Sequence, residues 1–156
     1  MLTSAGEVAG ALWFLNDLAR IHLRGDQVDG RVSIVDFTSP PGDMPPLHRH
    51  EHEDELFYVV SGRLALHQPG RRVEAGAGEA LFAKRGVAHA YEVLGNEPAR
   101  YLVVATPAGF DGFVAEIGRR ADSLDLPEPS DPDPQRMATV AGRYGIELLG
   151  PPGTLP

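Results

Sequence analysis

Imidazole and carboxylate side chains are concentrated in one short segment of this chain, residues 48–55. Histidine stands at every second position from His48 to His52, so in an extended strand the three imidazoles share one face, with neighbours roughly 6.5 Å apart. Imidazole nitrogens and carboxylate oxygens are ligands of divalent transition metals, so the segment is a candidate metal site. The carboxylates of the segment are Glu51, Glu53, Asp54 and Glu55.

Further ligands have to come from positions that a turn or a second strand brings to the same face. Glu55 lies an odd number of positions after His50, so a polar turn must intervene before its side chain can face the histidines. Glu55 then opens an alternating strand in which Phe57 shares its face. His89 begins another alternating strand after a glycine turn, with Tyr91 on its face, and is the candidate fourth ligand.

The alternative is a solvated, charged edge, because histidines and carboxylates are commonly exposed residues. Two features favour the metal site. The histidines lie between a turn-forming segment, "PPGDMPP", and a strongly apolar one, "ELFYVV", and the distant His89 lies on a separate strand. Glu51, Glu53 and Asp54 are expected to be exposed, with at most a role in attracting the cation.

The elements that must position these residues are short strands. The chain has 156 residues, of which 18 are glycine and 14 are proline, a composition that indicates many turns. Short apolar segments separated by glycine and proline are typical of an antiparallel sandwich or barrel. The predicted strands are "ALWFLND", "LARIHLRG", "RVSIVDFT", "ELFYVV", "RLALHQ", "RRVEA", "EALFAK", "AHAYEVL" and "RYLVVATP".

Beyond the last of these strands the pattern becomes helical. "FDGFVAEIGRRA" has apolar residues at helical spacing, and Asp133 followed by Pro134 predicts the cap and first turn of a second short helix. Residues 146–156 are expected on the surface of the barrel or against a partner chain. We therefore expect an all-β barrel over residues 1–107, including its N-terminal strands, and a helical appendage over residues 108–156 packed on it within the same domain.

Composition excludes several partners and chemistries. The net charge of −8 argues against nucleic acid or an anionic membrane as a partner, and the absence of cysteine excludes disulfides and thiolate ligands. The N-terminal segment lacks a basic stretch followed by an apolar core, and no apolar run approaches membrane-spanning length, which predicts a cytoplasmic protein. The two early strands would leave an apolar edge unless paired, so a homodimer is expected.

The order of residues around the histidines resembles the first motif of the cupin family. Gly42 is followed after five residues by His48, then by His50, by Glu55 after four more residues and by Gly62 after six. This spacing matches the family's motif in full. The resemblance implies a cupin double-stranded β-helix, or jelly roll.

The second cupin motif is matched in part. Gly78, followed by "KRG" and His89, resembles it, but Lys84 stands where the family usually has proline and Val93 where asparagine is frequent. Neither position is a usual metal ligand. The departures therefore concern the local turn and the lining of the pocket.

The resemblance also selects among the histidines. It implies one divalent transition metal, either iron, nickel, manganese, cobalt or copper, with zinc as a further option. It places His52 in the turn between the strands, outside the ligand set. His22 and His67, which have no acidic neighbours in the sequence, are interpreted as ordinary strand residues. The implied ligands are His48, His50, Glu55 and His89.

Wider similarity over most of the chain is to small single-domain cupins described as quercetin 2,3-dioxygenase-like. It implies a dioxygenase acting with dioxygen on a small aromatic or enol-containing, flavonol-like substrate, for which Glu55 is the candidate general base. Phe57, Tyr91 and Met44 are the candidate pocket residues. The alternatives are a cupin that binds a small ligand without turnover, and a metal-assisted isomerase or lyase.

Overall fold

Twelve strands and two helices make up the described part of the chain, residues 10–156 of a computed structural model. All the predicted strands are confirmed. The extreme N-terminal residues used in the prediction of a cytoplasmic protein lie outside the described residues. The strands are β1 (Ala11–Phe14), β2 (Asp17–Leu23), β3 (Ser33–Ser39), β4 (Pro46–His50), β5 (Asp54–Ser61), β6 (Arg63–Gln68), β7 (Arg71–Gly76), β8 (Ala80–Ala83), β9 (Ala90–Val93), β10 (Ala99–Thr106), β11 (Arg119–Arg120) and β12 (Ile146–Pro152), and the helices are α1 (Phe110–Ile117) and α2 (Pro134–Arg143).

The strands form two antiparallel layers, as expected for a jelly roll. One sheet has the order β11-β1-β2-β3-β10-β5-β8, and the other contains the groups β12-β4 and β7-β6-β9. These two groups are joined by a bridge between His48 and His89, in which each backbone N–H donates to the other residue's carbonyl at 3.2 and 2.8 Å. Two predicted metal ligands on distant parts of the sequence are thus neighbours in one sheet.

Alternation along β5 places its side chains on two faces, as predicted. Glu55, Phe57 and Val59 point into the barrel and are at most 2% exposed, whereas the residues between them face outward. The strand ends at Ser61 and is followed by Gly62, which has φ of 81°. A Cβ at this position would lie 2.8 Å from the Ala99 Cα, so the turn requires glycine.

Both predicted helices are present and contact each other, and they pack on strands β1, β3 and β12. The Asp133 side chain caps α2 by accepting from the backbone N–H groups of Gln135 and Arg136, and Pro134 occupies the first turn. Helix α1 packs on the barrel through Phe113 and Val114, which are buried. Among residues 10–156, neither helix combines the length and apolarity needed to cross a membrane.

The segment 146–152 differs from its predicted surface position. It forms β12, which pairs antiparallel with β4, so that Ile146 lies opposite His50 and Leu148 opposite His48. The ladder has register shifts near Gly150. Residues 146–152 are therefore part of the barrel wall, beside the histidines.

The apolar edge that suggested a homodimer is paired within the chain. Leu12 and Trp13 of β1 lie opposite Arg120 and Arg119 of β11, and the Arg119 guanidinium stacks 4.4 Å from the centre of the Trp13 ring. The edge argument for a second copy therefore does not hold. A homodimer stays a prediction.

Candidate metal centre

The structure brings His48, His50, Glu55 and His89 together. Strand β4 supplies two of the imidazoles, the start of β5 supplies the carboxylate, and the bridge to β4 holds the third imidazole. One ligand atom from each of the four lies within 4.8 Å of the others. Three of these side chains are buried and His48 is half-buried.

The Glu55 carboxylate is the common neighbour of two imidazoles. Its Oε2 atom lies 3.1 Å from Nε2 of His50 and 3.1 Å from Nε2 of His89. The His48 ring is close by, with its centroid 4.4 Å from that of His89 and 5.1 Å from that of His50. The Nε2 atoms therefore converge on the carboxylate from separate strands.

Hydrogen bonds at the other ring nitrogen orient two of these imidazoles. His48 Nδ1 lies 2.7 Å from the Pro46 carbonyl oxygen and His89 Nδ1 lies 3.2 Å from that of Val87. A carbonyl only accepts, so Nδ1 must carry the proton, and the neutral ring then presents its lone pair at Nε2. This is the tautomer that a metal at the centre requires.

His50 gives a direct test of whether a metal fits. Its Nε2 is buried and has no hydrogen-bond partner, although the Glu55 carboxylate is nearby. A buried nitrogen without a partner is costly unless another group satisfies it. A divalent ion among three imidazoles and one carboxylate would satisfy it, so the residues fit a transition metal.

The electrostatics of the cluster favour the deprotonated forms of His48 and Glu55 and the protonated form of His50. Burial, followed by the charges of His89 and His50, lowers the pKa of His48 to about 3. Burial opposes ionisation of Glu55, but His50 and His89 outweigh it and lower the Glu55 pKa to about 2. Burial would also lower the pKa of His50, but the carboxylates of Glu55 and Glu53 outweigh it and raise that pKa above 6.5.

Metal affinity is expected to fall as the pH falls. The raised pKa of His50 means that a proton begins to compete with the metal for Nε2 above pH 6.5. Below the His50 pKa, the apparent affinity should drop about tenfold per pH unit, because binding releases one proton. Zn²⁺ titration against a chelator, corrected for the chelator's own protonation, measures this dependence. An affinity that stays constant from neutral to mildly acidic pH would contradict it.

An apolar cavity adjoins the cluster. His48, His50 and Glu55 form its polar side, and Phe57 and Tyr91 line it as two of the predicted pocket residues. Met44, also predicted, is not among the lining residues, whereas the prolines that follow it are. None of the described residues that line the cavity is lysine or arginine. The remaining lining residues include Phe14, Phe37, Phe110 and Phe113, with Met137 from α2 and Ile146 and Leu148 from β12.

A buried polar network lies next to the cavity and was not predicted. The hydroxyl of Tyr91 bonds to that of Tyr101, which shares a 2.8 Å hydrogen bond with Ser39. Ser39 in turn contacts Asp17, which is 2% exposed. Burial, and then the neighbouring Asp43 carboxyl, raise the pKa of Asp17 well above its usual value. Tyr91, which lines the cavity, connects it to this network.

Glu53 was predicted to be exposed, and that prediction is wrong. Its side chain is 3% exposed, and its Oε1 lies 2.7 Å from His50 Nδ1. Its Oε2 accepts a 3.1 Å hydrogen bond from the backbone N–H of Phe110, at the start of α1. The other two acids predicted to be exposed are Glu51 and Asp54. Glu51 is exposed, whereas Asp54 is half-buried and accepts hydrogen bonds from Arg85.

The other histidines lie outside the cluster. His52 is a solvated turn residue with a side chain that is 71% exposed. His22 and His67, which have no acidic neighbours in the sequence, each have one in space: Asp36 at 3.1 Å and Glu92 at 2.9 Å. Both acids come from adjacent strands, which the linear sequence does not reveal.

Comparison with known proteins supports a small cupin. The family model described as "Cupin domain" matches residues 35–105, a range that contains all four candidate ligands. Among solved structures, the polyketide cyclase RemF from Streptomyces resistomycificus superposes with a TM-score of 0.52 at 29% identity, covering 68% of this chain and 80% of that one.

Two curated relatives are similar to parts of this chain. The tetracenomycin polyketide synthase protein TcmJ of Streptomyces glaucescens is 32% identical over 95 residues, 61% of this chain and 61% of that protein. An oxalate-binding protein of Thermotoga maritima is 37% identical over 65 residues, 42% of this chain and 54% of that protein. The chain thus spans between half and two thirds of the length of these relatives.

Proposed function

We propose that this chain is a small metal-dependent cupin that acts on an aromatic or enol-containing molecule, with oxygen-dependent cleavage as its leading activity. The observation that carries the proposal is the placement of the ligand cluster beside a cavity lined by aromatic rings. The proposal includes membership of the small single-domain cupins described as quercetin 2,3-dioxygenase-like.

A divalent metal held by His48, His50, Glu55 and His89 would supply a Lewis-acidic and, for ions other than zinc, redox-capable centre for substrate oxygens or dioxygen. Three neutral imidazoles and one carboxylate leave a divalent ion a net charge near +1, which suits an enolate or a catecholate. The rings of Phe57, Phe110 and their neighbours would stack on the substrate and exclude water.

The cavity supports an aromatic ligand better than a small dianion. A dicarboxylate would need more positive charge than the metal supplies, and the described lining residues include no lysine or arginine. The aromatic lining is therefore a stronger guide to the substrate than the name of the oxalate-binding relative.

Glu55 is better suited to hold the metal than to act as a base. A carboxylate whose pKa is lowered to about 2 by neighbouring imidazoles accepts a substrate proton poorly at neutral pH. The sequence-based assignment of Glu55 as general base therefore applies only if contact with these imidazoles loosens when substrate binds.

A second candidate is ring closure or isomerisation without oxygen. It is favoured by the similarity to TcmJ and to the polyketide cyclase RemF, whose names associate them with polyketides. The same ligand set could serve here as a Lewis acid that polarises a substrate carbonyl.

Oxygen consumption separates these candidates. The protein, loaded in turn with iron, nickel, manganese, cobalt, copper or zinc, is incubated with quercetin, catechols and enolisable polyketide analogues, with and without air. We expect metal-dependent oxygen uptake and a cleaved product, and no uptake with zinc. Product formed equally without air would support the second candidate, and a bound ligand that is never converted would support a binding protein. No oxygen uptake with any metal would contradict the dioxygenase.

A further inference from the structure

Glu53 occupies an unusual position for a residue in an exposed turn. It lies between β4 and β5, next to two exposed residues, yet its own carboxylate is 3% exposed. Each carboxylate oxygen has one partner: Oε1 faces Nδ1 of His50 at 2.7 Å, and Oε2 accepts from the backbone N–H of Phe110 at 3.1 Å. The side chain therefore joins a candidate metal ligand to the first turn of α1.

Among the three candidate ligand histidines, His50 alone has a side chain as the hydrogen-bond partner of its Nδ1 atom. His48 and His89 are oriented by backbone carbonyls, which no substitution removes. A carboxylate accepts at both oxygens, so it requires the proton of neutral His50 to lie on Nδ1 and leaves Nε2 unprotonated. That Nε2 is the buried nitrogen without a hydrogen-bond partner.

The hydrogen bond between Glu53 and the backbone of Phe110 holds a residue of the cavity wall. The Phe110 ring stands edge-on to the His50 ring, with centroids 5.7 Å apart, and both line the cavity. A Cβ added at Gly109, which has φ of 154°, would lie 3.1 Å from Glu53 Oε2, so the backbone approaches the carboxylate closely at a glycine. One carboxylate thus holds both the ligand ring and the aromatic residue beside it.

We propose that Glu53 is a positioning residue that selects the metal-binding tautomer of His50 and fixes α1 against the metal centre. The affinity readout of this inference rests on the proposed metal binding. The tautomer of His50 can be measured in the metal-free protein and does not depend on it. Losing the hydrogen-bond partner of a metal-bound histidine typically weakens metal affinity by about 10–100-fold.

The test uses Glu53→Gln, which keeps the size of the side chain but has only one acceptor oxygen. If the Gln oxygen faces Phe110, the amide NH₂ group faces His50 Nδ1 and donates to it, which drives the His50 proton to Nε2. If the Gln oxygen faces His50, the amide NH₂ group meets the backbone N–H of Phe110, so two donors face each other there. Glu51→Gln is the matched control, because it makes the same substitution at an exposed residue in the same turn.

Two readouts are compared in the full-length protein. Zn²⁺ affinity is measured by chelator competition, and the protonation of the imidazole nitrogens is read from long-range ¹H–¹⁵N correlation spectra of the metal-free protein at alkaline pH. For E53Q we expect Zn²⁺ affinity about 10–100-fold weaker and a shift of His50 toward the Nε2–H tautomer. For E51Q we expect both readouts to match the wild type.

Unchanged affinity and an unchanged tautomer in folded E53Q would overturn the proposal, as would equal losses in E51Q. If the wild type binds no Zn²⁺ or other divalent ion, the proposed function fails, and the tautomer comparison still decides the role of Glu53. If E53Q does not fold, Glu53→Asp gives the same two readouts, because it keeps the charge but withdraws the carboxylate by one methylene. A partial loss of affinity with a mixed tautomer is then expected, and wild-type behaviour would count against the proposal.

Discussion

His89→Ala is expected to lower the affinity for a divalent transition metal by at least a hundredfold. Removing a hydrogen-bond partner of a metal-bound histidine already costs about 10–100-fold, and this substitution removes a ligand itself. It also removes one of the two imidazoles that lie 3.1 Å from the Glu55 carboxylate, and that carboxylate is buried. Elemental analysis of the purified protein and chelator competition measure the loss.

His52→Ala is the matched control for this experiment. It removes an imidazole from the same part of the fold, but one that is solvated and outside the cluster. A metal present at about a thousand times its dissociation constant stabilises a protein by about 4 kcal/mol, or roughly 8–16 °C for a chain of this size. We expect chelation to lower the Tm of the wild type and of H52A by such an amount and to leave that of H89A unchanged. Metal bound to H89A with wild-type affinity would contradict the assignment of the ligands.

Deleting residues 146–156 is expected to unfold the barrel. The deletion removes β12, the partner of β4, and takes away Ile146, which is 4% exposed, and Leu148, which lines the cavity. Full burial of such a side chain contributes about 1.5–3 kcal/mol, the half-buried Leu148 contributes less, and the backbone groups of β4 lose their partners as well. The sum is a large part of the roughly 5–15 kcal/mol that stabilises a domain. Thermal unfolding followed by circular dichroism should show no cooperative transition.

A shorter deletion, of residues 153–156, is the control. It removes exposed and half-buried residues beyond the end of β12 and leaves the β4 ladder intact. We expect its Tm to lie within a few degrees of the wild type. If the longer deletion still melts cooperatively and binds one metal ion, β12 does not support the site.

Three members of the candidate ligand set, His48, His50 and Glu55, could be predicted from rules that act locally. Alternation places His48 and His50 on one face of a strand, and the motif spacing to Glu55 requires only a short turn. The pairing of His89 with His48 required the resemblance to cupins, because nothing local links two segments so far apart in the sequence. The structure places all four where these arguments put them.

The burial of Glu53 could not be predicted in this way. Its neighbours in sequence are polar, and it becomes buried only because the N-terminus of α1 meets the turn. A backbone N–H in the first turn of a helix lacks a partner within the helix and attracts a carboxylate, but the sequence does not show which one. Glu53 and Phe110 lie far apart in the sequence, so the sequence does not reveal their contact.

Strand β12 was missed because its composition argues against a strand. The segment 146–152 contains one glycine and two prolines, which weaken or end most strands, and its ladder is irregular near Gly150. Edge strands tolerate such residues, since one side of the backbone needs no partner. The inward residues, Ile146 and Leu148, alternate correctly and were the available signal.

The pairing of β4 with β12 has a consequence for the order of assembly during synthesis. The ribosome delivers the two imidazoles of β4 well before β12, the strand that closes their edge. In that interval the β4 edge presents free backbone groups, which can recruit a strand from a neighbouring nascent chain. Metal loading should accordingly follow synthesis of β12, and slowing translation between β4 and β12 should increase the fraction of chains that aggregate.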